Sequence, residues 1–213
     1  MSWSRRIYIP VIVVILTLGI TGFIAYEKFS APSLNISTSK HVYEYGDVLS
    51  IKFQVSKLTS NSITIHIIDS SNKTSSPVTL PIDKTNSTIT SPFPFYKTTF
   101  SPGTYRIDAD YEGVKASTSF DLVDSGKIAI PTEFKSLVKT LQLGSPTDKS
   151  YAGIIREWIN DGIINIPGYN QTNQAHVPQW FIKNVQWWSD DTISDNDFGM
   201  SIEYLIQKGI IQV

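Results

Sequence analysis

The stretch Ile130–Ile166, IPTEFKSLVKTLQLGSPTDKSYAGIIREWINDGIINI, is written a second time as Val177–Val213, VPQWFIKNVQWWSDDTISDNDFGMSIEYLIQKGIIQV. The two copies align without a gap, 47 positions apart. Pro131 meets Pro178, Phe134 meets Phe181 and Asp148 meets Asp195. Gly162-Ile163-Ile164 meets Gly209-Ile210-Ile211 near the ends. Self-similarity at a fixed offset marks a repeated supersecondary unit. Positions that stay apolar in both copies belong to the shared fold, and positions that differ are released from it.

Each copy reads as helix, turn, helix and a short extended tail. Phe134/Phe181, Val138/Val185 and Leu141/Trp188 recur at i, i+4 and i+7 and make one apolar stripe. Pro131 and Pro178 suit a first helical turn. The second helices open at Thr147-Asp148 and Ser194-Asp195, where Ser194 and Asp197 can form a capping box. Their stripe is Tyr151/Phe198, Ile155/Ile202, Trp158/Leu205 and Ile159/Ile206. Gly162 and Gly209 fit a left-handed helix cap followed by an apolar residue. Residues 128–166 and 177–213 are the two repeats, joined by the Asn- and Gln-rich linker 167–176.

Upstream, residues 31–124 read as strands. In Val48–Val55 the residues Leu49, Ile51, Phe53 and Val55 fall on one face, the period of a half-buried strand. Ser62–Ile67, Thr104–Tyr111 and Val114–Val123 repeat the signal, punctuated by Tyr45-Gly46-Asp47, Ser101-Pro102-Gly103 and Glu112-Gly113. Several short alternating strands predict an antiparallel β-sandwich.

Ile7–Tyr26 carries no charge, long enough at about 1.5 Å per residue to cross a bilayer core of about 30 Å. A transmembrane helix is expected over 7–29, with Arg5 and Arg6 holding residues 1–6 in the cytoplasm and the bulk of the chain outside. Thr17, Thr21 and Ala25 form a small-residue strip on that helix, suited to close approach of a neighbouring span. With a net charge of −1 there is no basic field for nucleic acid, and with no Cys there is no disulfide, thiolate metal site or Cys nucleophile.

No catalytic or metal motif stands out. The histidines His41, His66 and His176 show no paired metal-ligand spacing. The acidic turn Asp190–Asp197 fails as a calcium loop, because Gln186 and Trp188 fall where coordinating oxygens belong, and reads instead as helix capping. No cofactor is expected, and the chain reads as non-catalytic. Asn35, Asn72, Asn86 and Asn170 begin Asn-x-Ser/Thr sequons and are glycosylation candidates. Trp180 and Trp187 replace Glu133 and Thr140 of the first repeat and lie together, about 100–130° from the core stripe on a helical wheel. They are the candidate partner interface, the alternative being that they dock within the chain onto the first repeat or the sandwich.

Two resemblances add expectations. KHVYEYGDVLSIKFQV with SPGTYRIDADYEGVKASTSFDLV resembles immunoglobulin-like modules of exported archaeal and bacterial envelope proteins. Residues Pro178–Ile211 resemble a module of membrane-anchored, extracytoplasmic proteins of ammonia-oxidising archaea. Its Pro-x-Trp start, Trp-Trp pair, Ile-x-Asp-x-x-Phe turn and Gly-Ile-Ile end all stand here, with Asp191 where the module carries Gly. The resemblance implies a single-span accessory subunit in a hetero-oligomeric membrane complex, with ammonia monooxygenase as candidate assembly. The alternative is an independent cell-envelope protein contacting S-layer, glycan or a neighbouring cell.

Overall fold

The computed structural model describes residues 32–144, 146–172 and 174–213. Eight strands come first: β1 (Leu34–Thr38), β2 (Val42–Glu44), β3 (Val48–Val55), β4 (Ser62–Ile68), β5 (Val78–Pro81), β6 (Asn86–Pro94), β7 (Gly103–Tyr111) and β8 (Val114–Val123). Four helices follow: α1 (Thr132–Gln142), α2 (Asp148–Asn160), α3 (Gln179–Ser189) and α4 (Asp195–Gln207).

The strands form two sheets, ordered β1-β3-β6 and β2-β8-β7-β4-β5. Period-two alternation places Leu49, Ile51, Phe53 and Val55 of β3 inside, facing Tyr105, Ile107, Ala109 and Tyr111 of β7 across a shared core. The chain changes sheets twice at its start, since β1 and β3 pair in one sheet while β2 lies in the other. Gly46, at φ +88°, makes the second change possible, and Asp47 fixes it by accepting the Glu44 N–H at 3.1 Å and the Lys40 ammonium at 2.8 Å.

The helices share one core. Phe198 stacks between Trp188, at 4.8 Å, and Phe181, at 5.7 Å, and Trp158 meets Trp188 edge-on at 5.4 Å. The duplicated sequence ends its helices in the same way. Ile163 N–H reaches the Trp158 carbonyl and Ile210 N–H the Leu205 carbonyl, each at 2.9 Å, around Gly162 and Gly209 at φ +70° and +68°. The copies also lock reciprocally. The entry residue of the first, Ile130, donates its N–H to Asp195 at 3.0 Å, and the entry residue of the second, Val177, donates to Asp148 at 3.3 Å.

Sandwich and bundle meet at Ile128-Ala129-Ile130. Ile128 and Ile130 belong to the helical core and Ala129 to the sandwich core, so an extended segment feeds alternate side chains into two hydrophobic clusters. Ile128 rests on the backbone of α4, where a Cβ on Gly199 would come within 2.7 Å of its Cγ2.

Several expectations are corrected here. Among the described residues no helix is long and apolar enough to cross a membrane. The longest described helices, α2 and α4, have 13 residues each, about 20 Å of rise against a core of about 30 Å. The expected helix over 7–29, with Thr17, Thr21 and Ala25, lies outside the described residues. A single-pass membrane location with membrane-complex partners therefore gains no support from the fold. The purely antiparallel, immunoglobulin-like sandwich is corrected too, because β2 pairs with β8 in parallel, Val42 opposite Asp121. The chain enters β2 directly from β1 in the opposite sheet, so β2 runs alongside the last strand instead of returning against it. The two repeated helix–turn–helix pairs form one all-α module. Their apolar stripes close on each other as one four-helix bundle.

Gly199→Ala tests the junction. Within a helix this change ordinarily stabilises by up to about 1 kcal/mol. Here the added methyl displaces Ile128, and a loss of about 1–3 kcal/mol is expected in urea unfolding.

Candidate functional site

Asp195, at the first turn of α4, organises the region behind the candidate interface. One carboxylate oxygen accepts the indole N–H of the fully buried Trp188 at 2.8 Å and lies 3.2 Å from the Lys135 ammonium. The other accepts the Ile130 N–H. The next residue, Asn196, accepts the Ile128 N–H at 3.0 Å. Lys135 also reaches Asp191 at 2.6 Å and lies 5.5 Å from the centre of the Trp188 ring. Burial favours the neutral amine of Lys135, but Asp191 and Asp195 outweigh it and hold its pKa above the ordinary lysine value. Asp191 adopts φ +58°, so the left-handed turn survives where the resembled module carries Gly, in a side chain that local polar contacts tolerate.

This pinned Trp188 fixes the rotation of α3 and hence what α3 shows to solvent. Phe181, Val185 and Trp188 are buried, whereas Trp180 is 55% and Trp187 44% exposed. Seven residues apart, the two indoles return to nearly the same side of the helix, about 10 Å apart along its axis. Lys183 lies between them along the axis but about 40–60° further round the helix, its ammonium 5.6 Å from the Trp187 ring centre, and no carboxylate pairs with it among the described residues. On α4, Met200 and Tyr204 are 55% and 57% exposed. Their counterparts in the first repeat are Gly153 and Glu157. Thus four large apolar side chains are exposed on the second repeat at positions where the first carries Glu133, Thr140, Gly153 and Glu157. The repeat comparison exposed the Trp pair in the sequence; Met200 and Tyr204 carried the same signal and were missed.

The other candidates remain dispersed. Asn35, Asn72, Asn86 and Asn170 are all exposed, on β1, in a left-handed turn, at the start of β6 and in the linker. His176 lies 3.6 Å from Asp148, and its backbone bridges Gln212. His66 lies opposite Asp108 on the outer face of the five-stranded sheet, beside an open groove of about 620 Å³. Among the described residues no cluster of three His, Asp or Glu has metal-binding geometry. The acidic turn caps α4, with Ser194 Oγ accepting the Asp197 N–H at 3.1 Å.

No family model and no curated protein matches the chain. Among solved structures it is similar to the sulfur carrier protein SoxY of Chlorobium limicola f thiosulfatophilum, at 12% identity and a TM-score of 0.28, covering 43% of this chain and 79% of that one. It is similar to the M1 domain of titin at 13% identity and 0.29, covering 46% and 97%. A PKD domain of an M14-like peptidase from a Thermoplasmatales archaeon gives 14% and 0.25, covering 44% and 96%. Such scores carry no argument about function. The resemblance to membrane-anchored proteins of ammonia-oxidising archaea is not upheld, since among the described residues no helix is long and apolar enough to cross a membrane. The reading as an ammonia monooxygenase accessory subunit falls with it, as does its alternative, an independent cell-envelope protein.

Asp195→Ala leaves the Ile130 N–H and the Trp188 indole N–H without their acceptor. At about 1–3 kcal/mol for each such donor, a loss of about 2–6 kcal/mol is expected, against about 1 kcal/mol or less for Asp148→Ala, whose hydrogen bond to Val177 is longer and whose other contact, with His176 at 3.6 Å, is exposed. Paired denaturation curves measure the difference. The Tyr151 hydroxyl is buried without a hydrogen-bond partner among the described residues, and burial raises its pKa. A group whose folded pKa is raised keeps its contribution below the unfolded value, about 10, and loses it as pH rises further. Lys135 follows the same sign. Stability should therefore fall above about pH 10, and Tyr151→Phe should flatten the fall in thermal melts without lowering stability at pH 7.

Proposed function

We propose that this chain is a non-catalytic binding protein whose second helical repeat docks a partner protein through Trp180 and Trp187. The observation that carries the reading is the exposure of both indoles on a helix whose sister copy needs neither. Trp is enriched among residues that dominate binding energy, because a rigid indole buries much area at little entropic cost. Exposed Met200 and Tyr204 add apolar area on the same repeat. Lys183, without a carboxylate partner among the described residues and beside the indoles, selects the partner's chemistry: an apolar surface that carries a carboxylate opposite the ammonium. Binding of this kind needs no titratable catalytic group, only a rotationally fixed α3, which the Asp195–Trp188 contact supplies.

A photo-crosslinking residue at Gln186, beside the indoles, should trap the partner in cells of the source organism. Replacing Trp180 and Trp187 by Glu and Thr, as in the first repeat, should leave the melting temperature essentially unchanged. Affinity for the trapped protein, measured with purified components, should fall at least about tenfold, and Lys183→Glu should weaken it separately. Undiminished affinity in the double variant, or collapse of the bundle, refutes the reading.

A further inference from the structure

A second feature, independent of the Trp face, lies between the free edges of the two sheets. An apolar cleft of about 220 Å³ opens there, walled by β3 and β6 on one side and β4 and β5 on the other, with Phe95, Phe100 and Phe120 within. β6 ends the order of its sheet and β5 ends the order of the other, so among the described residues no strand closes the sandwich on this side. Ile67, Leu80 and Ile89 line the cleft while remaining only partly buried. No charged side chain lines it.

The few polar groups at its wall are already satisfied. Tyr105 Oη donates to the Ser101 carbonyl at 2.8 Å, Ser91 Oγ donates to the Phe93 carbonyl at 2.7 Å, and Thr90 Oγ1 bonds Ser50 Oγ at 3.1 Å. An occupant therefore needs no hydrogen-bonding group inside, and a polar or charged one would be desolvated without compensation. At the mouth, Phe93 is 63% and Val78 40% exposed.

Two kinds of occupant fit an open sandwich edge: a strand from another chain, or a small apolar molecule. The edges decide against the strand. Pro77 precedes β5 and Pro81 ends it, while Pro92 and Pro94 lie within β6. Proline offers no N–H, so an added strand would meet ladders with missing donors, a usual defence of sheet edges. The volume also favours the small molecule, since a dry apolar cavity of about 150 Å³ accepts benzene.

We propose that the cleft between β5 and β6 is a binding site for a small apolar molecule, the size of one substituted aromatic ring or a short alkyl chain. Toluene serves as probe, titrated into the full-length protein carrying ¹³C-labelled isoleucine δ1 methyls. Saturable shifts are expected at Ile51, Ile65, Ile67 and Ile89, with Ile155 and Ile202 of the helical core unmoved. Ile89→Phe fills the cleft and should weaken toluene binding at least tenfold. Val78→Trp covers the mouth from an exposed position, spares the core if Ile89→Phe unfolds the sandwich, and should do the same. Shifts that fail to saturate, that are equally large in the helical core, or that persist in the folded variants overturn the proposal.

Discussion

The crossing of Ile128-Ala129-Ile130 between two hydrophobic clusters is the constraint on which the arrangement depends. An extended backbone sends neighbouring side chains in opposite directions. That geometry lets three buried residues serve the bundle, the sandwich and the bundle in turn. A buried extended segment must still satisfy its own N–H groups. Asn196 and Asp195 accept those of Ile128 and Ile130, so the polar groups that hold the junction come from the first turn of α4. The glycine at 199, where the sister helix has Ala152, is the steric counterpart of the same contact. Burial in the sandwich core pushes the pKa of Tyr96 up.

From the junction, order passes to the exposed face through one side chain. Asp195 holds both the junction and the indole of Trp188, and Trp188 stacks on Phe198 and meets Trp158. With that indole fixed, α3 cannot rotate without breaking a buried hydrogen bond and an aromatic cluster together. Trp180 and Trp187 are consequently presented outward by a helix whose inner face is fully committed. A surface built this way is pre-organised, which lowers the ordering cost of association.

Duplication explains why one helix face is free to differ. Both copies must bury equivalent stripes and end in the same glycine cap, so Phe134/Phe181, Val138/Val185 and Gly162/Gly209 are held in common. The reciprocal contacts of Asp148 and Asp195 keep the two units in register, but only Asp195 gained a buried indole and a lysine. Leu141 and Ile182 stand where the other copy has Trp188 and Lys135, so this network is written once. The asymmetry places the exposed Trp180 and Trp187 on the second copy.

Periodicity determined a great deal by itself: the strands at 48–55, 62–67, 104–111 and 114–123, the helix pairs, their glycine caps, and the outward position of Trp180 and Trp187. These are local or repeat-encoded properties, fixed by the direction of the side chain at each residue. The parallel pairing of β2 with β8, the fusion of two helix pairs into one bundle and the alternation of residues 128–130 between cores were settled only in three dimensions. Each depends on contacts between segments far apart in the chain, for which local patterning has no symbol. The role of Asp195 belongs to the same class, since its position in the sequence announces a helix cap and only the fold brings Ile130, Trp188 and Lys135 to its two oxygens. The cleft between β5 and β6 is likewise invisible in sequence, because alternation says which side chains point inward but not whether the opposing edge reaches far enough to fill the space between them.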